Sequence, residues 1–426
     1  MLIISPYFPP VNAADMQRIR MSLPYFKDFG WEVEVVTVDP KYSDLSEDEL
    51  LLKTIPLQTK IHYVRALPKK LTSKIGLGSI ALRSLWFYKR PVDKLLRTRH
   101  FDLIYFSTTQ FPVCILGAYW KRKFKIPYVI DMQDPWHSDY YRDKPKHQRP
   151  TKFWFSYRLN KYLEPRAMRL ADGVISVSED YIATLQNRYP CLKNVPAATI
   201  TFGAFGPDMD IALKHQADFP SLLNENTINL VYVGRGGADM RAAITPVFSA
   251  FKKALLANPD ISRIHFYFIG TSYAAAGTGV PTIAPLAAAL GVATYVTERT
   301  DRISYYHTLC TLLKADALFI PGSDDPRYTA SKLYPYLLTG KPLLTMFNAA
   351  SPALNVLKEY GVYNSYNYTD VDSGQLIDFF QRLASGNLPQ PVYNATAMHQ
   401  YSAREMTHRQ CLLFDNVINS IQPADA

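Results

Sequence analysis

The 426-residue chain is 48% hydrophobic and 20% charged, which excludes a disordered, fibrous or disulfide-scaffold protein. Its length exceeds what one hydrophobic core usually supports, so two α/β domains are expected. The formal net charge of +10 is unevenly distributed: residues 1–200 hold 31 Lys and Arg against 19 Asp and Glu, and the remainder 16 against 18.

The chain opens with MLIISPYFPP, which lacks a basic segment followed by a long apolar one and reads as a first β-strand rather than a leader. WEVEVVTVD, FDLIYFST, IPYVIDM and DGVISVS follow as short β-branched or apolar runs, separated by segments of helical period. Such alternation predicts a parallel sheet. The second half repeats it with INLVYVGRGG, RIHFYFIGTS, ATYVTER, DALFIPG and KPLLTMF. The Gly-, Pro- and Asn-rich stretch over 205–227 is predicted to be the linker. These readings give an N-terminal domain over 1–205, a C-terminal domain over 228–400 and a last helix over 401–426 that crosses back. No apolar run reaches the roughly 18 residues of a membrane span. Cys114, Cys191, Cys310 and Cys411 show no CxxC spacing, which favours a reducing compartment and a cytoplasmic protein.

Ligands of parallel sheets sit at the carboxyl ends of strands, where loops present backbone N–H groups and helix N-termini. The first such loop, SPYFPPVNAADMQRIRM, leads into a helix near Asp15 with Arg18 and Arg20 in its first turns; in isolation it is a Pro-rich turn with surface arginines. In VGRGGADMRAAI, Gly234 lets backbone approach a ligand while Arg235 and Arg241 offer positive charge. The alternative is a glycine-rich turn flanked by an exposed arginine. Ser331, Lys332 and Leu333 open a further helix, either facing an anion or simply capped by Ser331.

The order and spacing of SPYFPP, QRIR, FGWEVEVVTVDP, IPYVIDMQDPW, LADGVISVSE, INLVYVGRGG, KADALFIPG and SKLYPYLLTGKPLL resemble the GT-B glycosyltransferases, specifically glycosyltransferase family 4, over nearly the whole chain. The resemblance implies two Rossmann-like, doubly wound α/β domains facing a cleft. It also implies transfer of a sugar from a nucleoside-diphosphate donor, with retention and without a metal or other cofactor. It assigns Arg235 to the leaving diphosphate. The second basic residue of that loop is normally a Lys followed by Gly, and Arg241 takes the role only after a one-residue slip. Where relatives carry a ribose-gripping Glu, this chain has Pro335, leaving Asp324 or Asp325 as partial substitutes. Arg299 stacks on the base and Ile303 packs against it by the same analogy.

On the acceptor side, Asp131, Gln133, Asp134, Trp136 and His137 cluster after one strand and are expected to line a cleft. The resemblance gives Gln133 and Asp134 a role in positioning substrate, with no conventional acid/base pair required because the leaving phosphate helps take the acceptor proton. Ser178 and Glu179 read more simply as a helix cap.

Two other readings share the fold. A sugar-nucleotide epimerase would need an acid/base set that the sequence does not assemble. A non-catalytic partner or scaffold is favoured by Pro335 and the missing Lys-Gly. Basicity alone points to nucleic acid, but no recognised nucleic-acid module is present. The basic clusters over 83–100 and 144–169 mix Lys and Arg with Trp, Phe and Tyr, which suits either solvated helix faces or peripheral contact with the inner face of an anionic membrane. A saccharide or lipid-linked acceptor is the corresponding expectation.

Overall fold

The computed structural model describes residues 1–72, 76–139, 141–142, 144–146, 149, 152–326 and 331–421. It divides into unit 1, Met1–Gly203 with Ala403–Ala426, and unit 2, Ala204–Ser402.

Unit 1 contains β1 (Leu2–Ile4), α1 (Gln17–Ser22), β2 (Glu34–Val38), β3 (Lys60–Val64), α2 (Lys69–Thr72), α3 (Ile80–Thr98), β4 (Ile104–Ser107), α4 (Ile115–Phe124), β5 (Tyr128–Met132), α5 (Phe153–Met168), β6 (Gly173–Ser176), α6 (Glu179–Arg188) and β7 (Ala197–Thr199). The strands form one parallel sheet in the order β3-β2-β1-β4-β5-β6-β7. Strands β1, β4, β5 and β6 are buried at every position. Helices cover both faces of such a sheet, so its strands read as continuous apolar runs instead of alternating ones.

Unit 2 contains α7 (Gly206–Lys214), β8 (Ile228–Val233), α8 (Arg241–Ala257), β9 (Ile264–Ile269), α9 (Ala284–Ala289), β10 (Val296–Arg299), α10 (Tyr305–Lys314), β11 (Ala317–Pro321), α11 (Leu333–Leu338), β12 (Leu343–Phe347), α12 (Pro352–Tyr360), β13 (Ser365–Asn367), α13 (Ser373–Ala384) and α14 (Ala395–Gln400). Its parallel sheet runs β10-β9-β8-β11-β12-β13.

The stretch expected to be a linker includes α7, which belongs to unit 2. Asp208 accepts hydrogen bonds from Tyr305 (2.8 Å) and Tyr306 (2.8 Å), and the Cys310 thiol donates to the Ala212 carbonyl. Gly206 and Pro207 misled the sequence reading because proline in a first helical turn loses no needed hydrogen bond. The last helix, α15 (Ala403–Ile421), packs within unit 1. Trp31 Nε1 donates to Asp415 (3.1 Å), Gln410 Nε2 to Ser22 Oγ (2.9 Å), and the Phe414 ring meets Trp31 and Tyr105. Residue 173 is glycine because a Cβ there would lie 2.7 Å from Val417 Cγ2.

All four cysteines are free. Among the described residues no helix is long and apolar enough to cross a membrane.

Candidate active site

In unit 2, β8 ends at Val233 and the chain turns through Gly234 and Arg235 before α8. Arg235 folds back as a two-pronged pair with Asp239, Nη1 to Oδ1 at 2.9 Å and Nη2 to Oδ2 at 2.6 Å. Ser323 Oγ, just after β11, also donates to Asp239 Oδ2 (2.8 Å). Partial burial opposes ionisation of Asp239, but the bonds from Arg235 and Ser323 outweigh it and hold the carboxyl below its ordinary value.

Lys332, immediately before α11, reaches the same loop. Its Nζ donates to Tyr232 Oη at 2.6 Å and lies 4.7 Å from the centre of that ring. Tyr232 Oη in turn donates to the Arg235 carbonyl (2.7 Å). A Cβ on residue 234 would stand 2.5 Å from Lys332 Nζ and 3.0 Å from Tyr232 Oη, so any larger residue would displace the ammonium from this position. Burial, then the charges of Arg235 and Arg302, partly opposed by Asp239, bring the Lys332 ammonium down to about 7. Two cations from separate segments, Arg235 and Lys332, partly shielded from water at one turn, suit a polyanion.

The other expected donor residues divide. Arg241 is the first residue of α8 and is exposed. Ser331 is exposed and does not cap α11; Lys332 holds that position without a side-chain capping bond. Leu333 is buried core. α11 has six residues, so positive charge at its start comes from Lys332 more than from a macrodipole. Residues 327–330 of this motif lie outside the described residues, as do 147, 148, 150 and 151 of the basic 144–169 cluster.

Pro335 occupies the first turn of α11. Asp324 donates its amide to the Asp239 carbonyl (2.9 Å) and Asp325 its amide to Ser323 Oγ (3.2 Å), so both acids adjoin the Arg235–Asp239 pair. Arg299 ends β10 with its side chain exposed, while its carbonyl accepts from the amides of Gly270 and Thr271. Ile303 is half-buried and precedes Ser304, the true cap of α10. Glu298, unnoticed in the sequence, accepts from Thr271 Oγ1 and from the amides of Thr282, Ile283 and Ala284, fixing the start of α9 beside this edge.

The carboxyl edge of the unit 1 sheet is built differently. Arg18 and Arg20, readable as surface, are wholly buried. Arg18 Nε pairs with Asp131 Oδ2 at 2.7 Å, its Nη2 donates to the Ile200 carbonyl, and its guanidinium lies over Phe202. Ser107 Oγ (2.8 Å) and Gln133 Nε2 (3.1 Å) also donate to Asp131 Oδ2. Gln133 Nε2 reaches the Asp15 carbonyl as well (3.0 Å). Asp15, read from the sequence only as the place where a helix opens, is buried and accepts from Thr108 Oγ1 (2.7 Å) and the Thr109 amide; burial nonetheless raises its carboxyl.

The expectation that this polar cluster faces open space is therefore corrected for most of its members. Asp131, Gln133, Trp136 and His137 are buried. Trp136 stacks on Phe111 and donates to Asn160. Asp134 alone is exposed, and partial burial together with the Asp15 charge raises its carboxyl. Ser178 precedes α6 with Glu179 and Asp180 in the first turn, but its hydroxyl makes no capping bond.

Residues 22–201 match the Glycosyltransferase Family 4 model. Among solved structures, HepE of Anabaena in complex with UDP superposes with a TM-score of 0.57 at 17% identity, covering 97% of this chain and 99% of that one. A UDP-forming α,α-trehalose-phosphate synthase from Burkholderia xenovorans gives 0.57 at 12% identity, covering 98% of each chain. WaaG, a glycosyltransferase involved in lipopolysaccharide biosynthesis, gives 0.52 at 13%, covering both chains completely. No curated protein matches the sequence.

Each unit holds one parallel sheet with helices, and the chain shares the two-domain GT-B fold of these structures. The residues matched by the family model all lie in unit 1.

Proposed function

We propose that the protein transfers a sugar from a nucleoside-diphosphate sugar to a saccharide or lipid-linked acceptor, with retention of anomeric configuration and without a metal. The observation that carries this reading is the convergence of Arg235 and Lys332 on the glycine turn after β8, where Gly234 leaves room for the ammonium. Similar structures were solved with UDP and with UDP-glucose bound, which supports a uridine nucleotide as the first donor to test.

In this reading the diphosphate draws Arg235 from Asp239 and accepts from Lys332 Nζ. Both cations then neutralise the charge that grows on the leaving phosphate, the task a metal would otherwise perform. Arg241, exposed at the start of α8, adds longer-range attraction. Arg299 stacks on the base beside Ile303, and Asp324 or Asp325 takes the ribose contact that Pro335 cannot make. In unit 1, Asp134 is free of hydrogen bonds to described residues and orients a substrate hydroxyl, while Gln133 holds Asp15 and Asp131 in place behind it. The basic surface of unit 1 contacts an anionic membrane on its inner face.

The test is incubation of the purified chain with a panel of nucleotide sugars and saccharide or lipid-linked acceptors. Release of the nucleoside diphosphate and glycosylated product are followed by mass spectrometry, and the anomeric configuration by NMR. Product of retained configuration in the presence of chelator is the expected result. Tight diphosphate binding without turnover on any donor would favour the scaffold reading.

A further inference from the structure

Helices α3, α4 and α5 of unit 1 line a groove of about 1230 Å³. Its floor is apolar, with Leu82, Leu85, Ile115, Leu116, Pro165 and Leu170. Two aromatics at its edge are unusually open to solvent, Trp86 at 68% and Tyr162 at 58%. Six cations complete the lining, Lys89, Arg122, Lys123, Lys161, Arg166 and Arg169, and no carboxylate lies among the lining residues.

Few of these charges are neutralised within the fold. Lys123 pairs with Asp93. Lys89 lies 4.2 Å from the centre of the Tyr119 ring, and Arg166 sits over Tyr162. The side chains of Arg122, Lys161 and Arg169 make no hydrogen bond or ion pair with any described residue. One-signed charge around an exposed apolar surface is self-repulsive in the free protein and calls for an occupant that is both anionic and apolar. Nucleic acid supplies phosphates but nothing to cover a leucine floor. An anionic leaflet supplies both, with Trp and Tyr at headgroup depth and Lys and Arg on phosphates.

We propose that the α3–α4–α5 groove is the surface by which the protein seats on an anionic phospholipid leaflet. This rests on the membrane part of the reading above and gives it an address. Five of the six cations, all but Lys89, come from α4, α5 and the residue after α5, and only the fold brings them to Trp86. The equally exposed Trp154, at 65%, is outside the groove, whereas Lys161, Arg166 and Arg169 of the same basic cluster line it.

The experiment is sedimentation of the full chain with vesicles of phosphatidylcholine alone or mixed with phosphatidylglycerol, at low and high salt. Binding should require phosphatidylglycerol and fall with salt. The pair Arg122→Glu with Lys161→Glu should cut partitioning by at least about tenfold, since each basic residue near such a surface contributes on the order of fivefold. The pair Lys53→Glu with Lys193→Glu changes net charge equally on exposed residues outside the groove and should alter partitioning by less than about twofold, given screening beyond roughly 8 Å. Equal loss in both pairs would overturn the groove in favour of diffuse attraction.

Vesicle-induced blue shift of tryptophan emission gives a second reading: most of it should disappear in Trp86→Phe, and a shift of unchanged size would overturn the proposal. The thermal shifts caused by UDP, GDP and ADP are recorded on the same samples. A wild-type chain that responds to UDP but ignores anionic vesicles sinks the groove alone. One that binds vesicles through the groove but ignores UDP, GDP and ADP sinks the donor reading alone.

Discussion

Arg18 and Asp131, at the carboxyl edge of the first sheet, face each other at 2.7 Å with both side chains wholly buried, whereas Arg235 and Asp239 beyond the second sheet keep 32% and 28% side-chain exposure. The first pair is enclosed by Ser107, Gln133 and backbone carbonyls. The second shares its surroundings with an additional cation, Lys332, anchored on Tyr232. A closed pair has spent its charge on the fold; an open one beside a further cation can exchange its carboxylate partner for a ligand. The comparison therefore assigns a structural task to one arginine and a binding task to the other, although both follow a first βα turn.

The comparison breaks most easily at the closed pair. Arg18→Met or Asp131→Ala should each lower stability by about 3–5 kcal/mol, because either leaves an uncompensated buried charge, and urea unfolding of the two variants reads this directly. The double variant Arg18→Met with Asp131→Ala should lose less than the sum of the two single changes. Additive losses would mean that the pair is not closed.

At the open pair, Arg235→Ala should leave stability within about 0.5 kcal/mol but weaken nucleoside-diphosphate binding by about 1.5–3 kcal/mol. Calorimetry on UDP checks it, and unchanged affinity removes the assignment.

Lys332 sharpens the contrast through pH. Its folded value, about 7, lies below that of an unfolded lysine, roughly 10.4. Between these values the unfolded chain binds a proton that the folded chain does not, so this group makes stability rise with pH across that window. Below about 7 both states are protonated and the full cost of the buried charge is present. Lys332→Met should remove this slope and raise stability at neutral pH, with the Tyr232 hydroxyl still satisfied by the Arg235 carbonyl. A bound diphosphate favours the ammonium, so wild-type binding should take up a proton above pH 7 and weaken as pH rises. Calorimetry in buffers of different ionisation heat measures that uptake, and the Met variant should show none from this group.

The smallest expected effect is at Pro335. Its place in the first turn of a short helix tolerates Glu, and Pro335→Glu should tighten UDP binding by about 1 kcal/mol through a ribose hydroxyl contact. A correctly folded variant that binds no better places the ribose elsewhere.

The strands and their parallel pairing were legible because central strands such as IYFS and YVIDM are apolar at nearly every position, and the glycine turn at 234–237 stood out by composition. The neutralised arginines were not legible. Nothing within QRIR tells that Arg18 lies against Asp131, which is 113 positions away, so burial of both is a property of the fold alone. Lys332 could be named from its neighbours, but its meeting with Tyr232 across 100 positions could not. The helix α7 was hidden by Gly206 and Pro207, which signal a linker in one context and a first helical turn in another. Glu298, which orders three amides at the start of α9, carried no local signal.

The most direct test of donor binding by unit 2 is thermal unfolding of the wild type and of the double variant Arg235→Ala with Lys332→Met, each with UDP, GDP and ADP. At a hundredfold excess over Kd a ligand adds about 2.7 kcal/mol, a shift easily read for the wild type with at least one of the three. The account predicts that this shift vanishes in the double variant while the variant by itself melts no lower than the wild type. An equal shift in both proteins would contradict it.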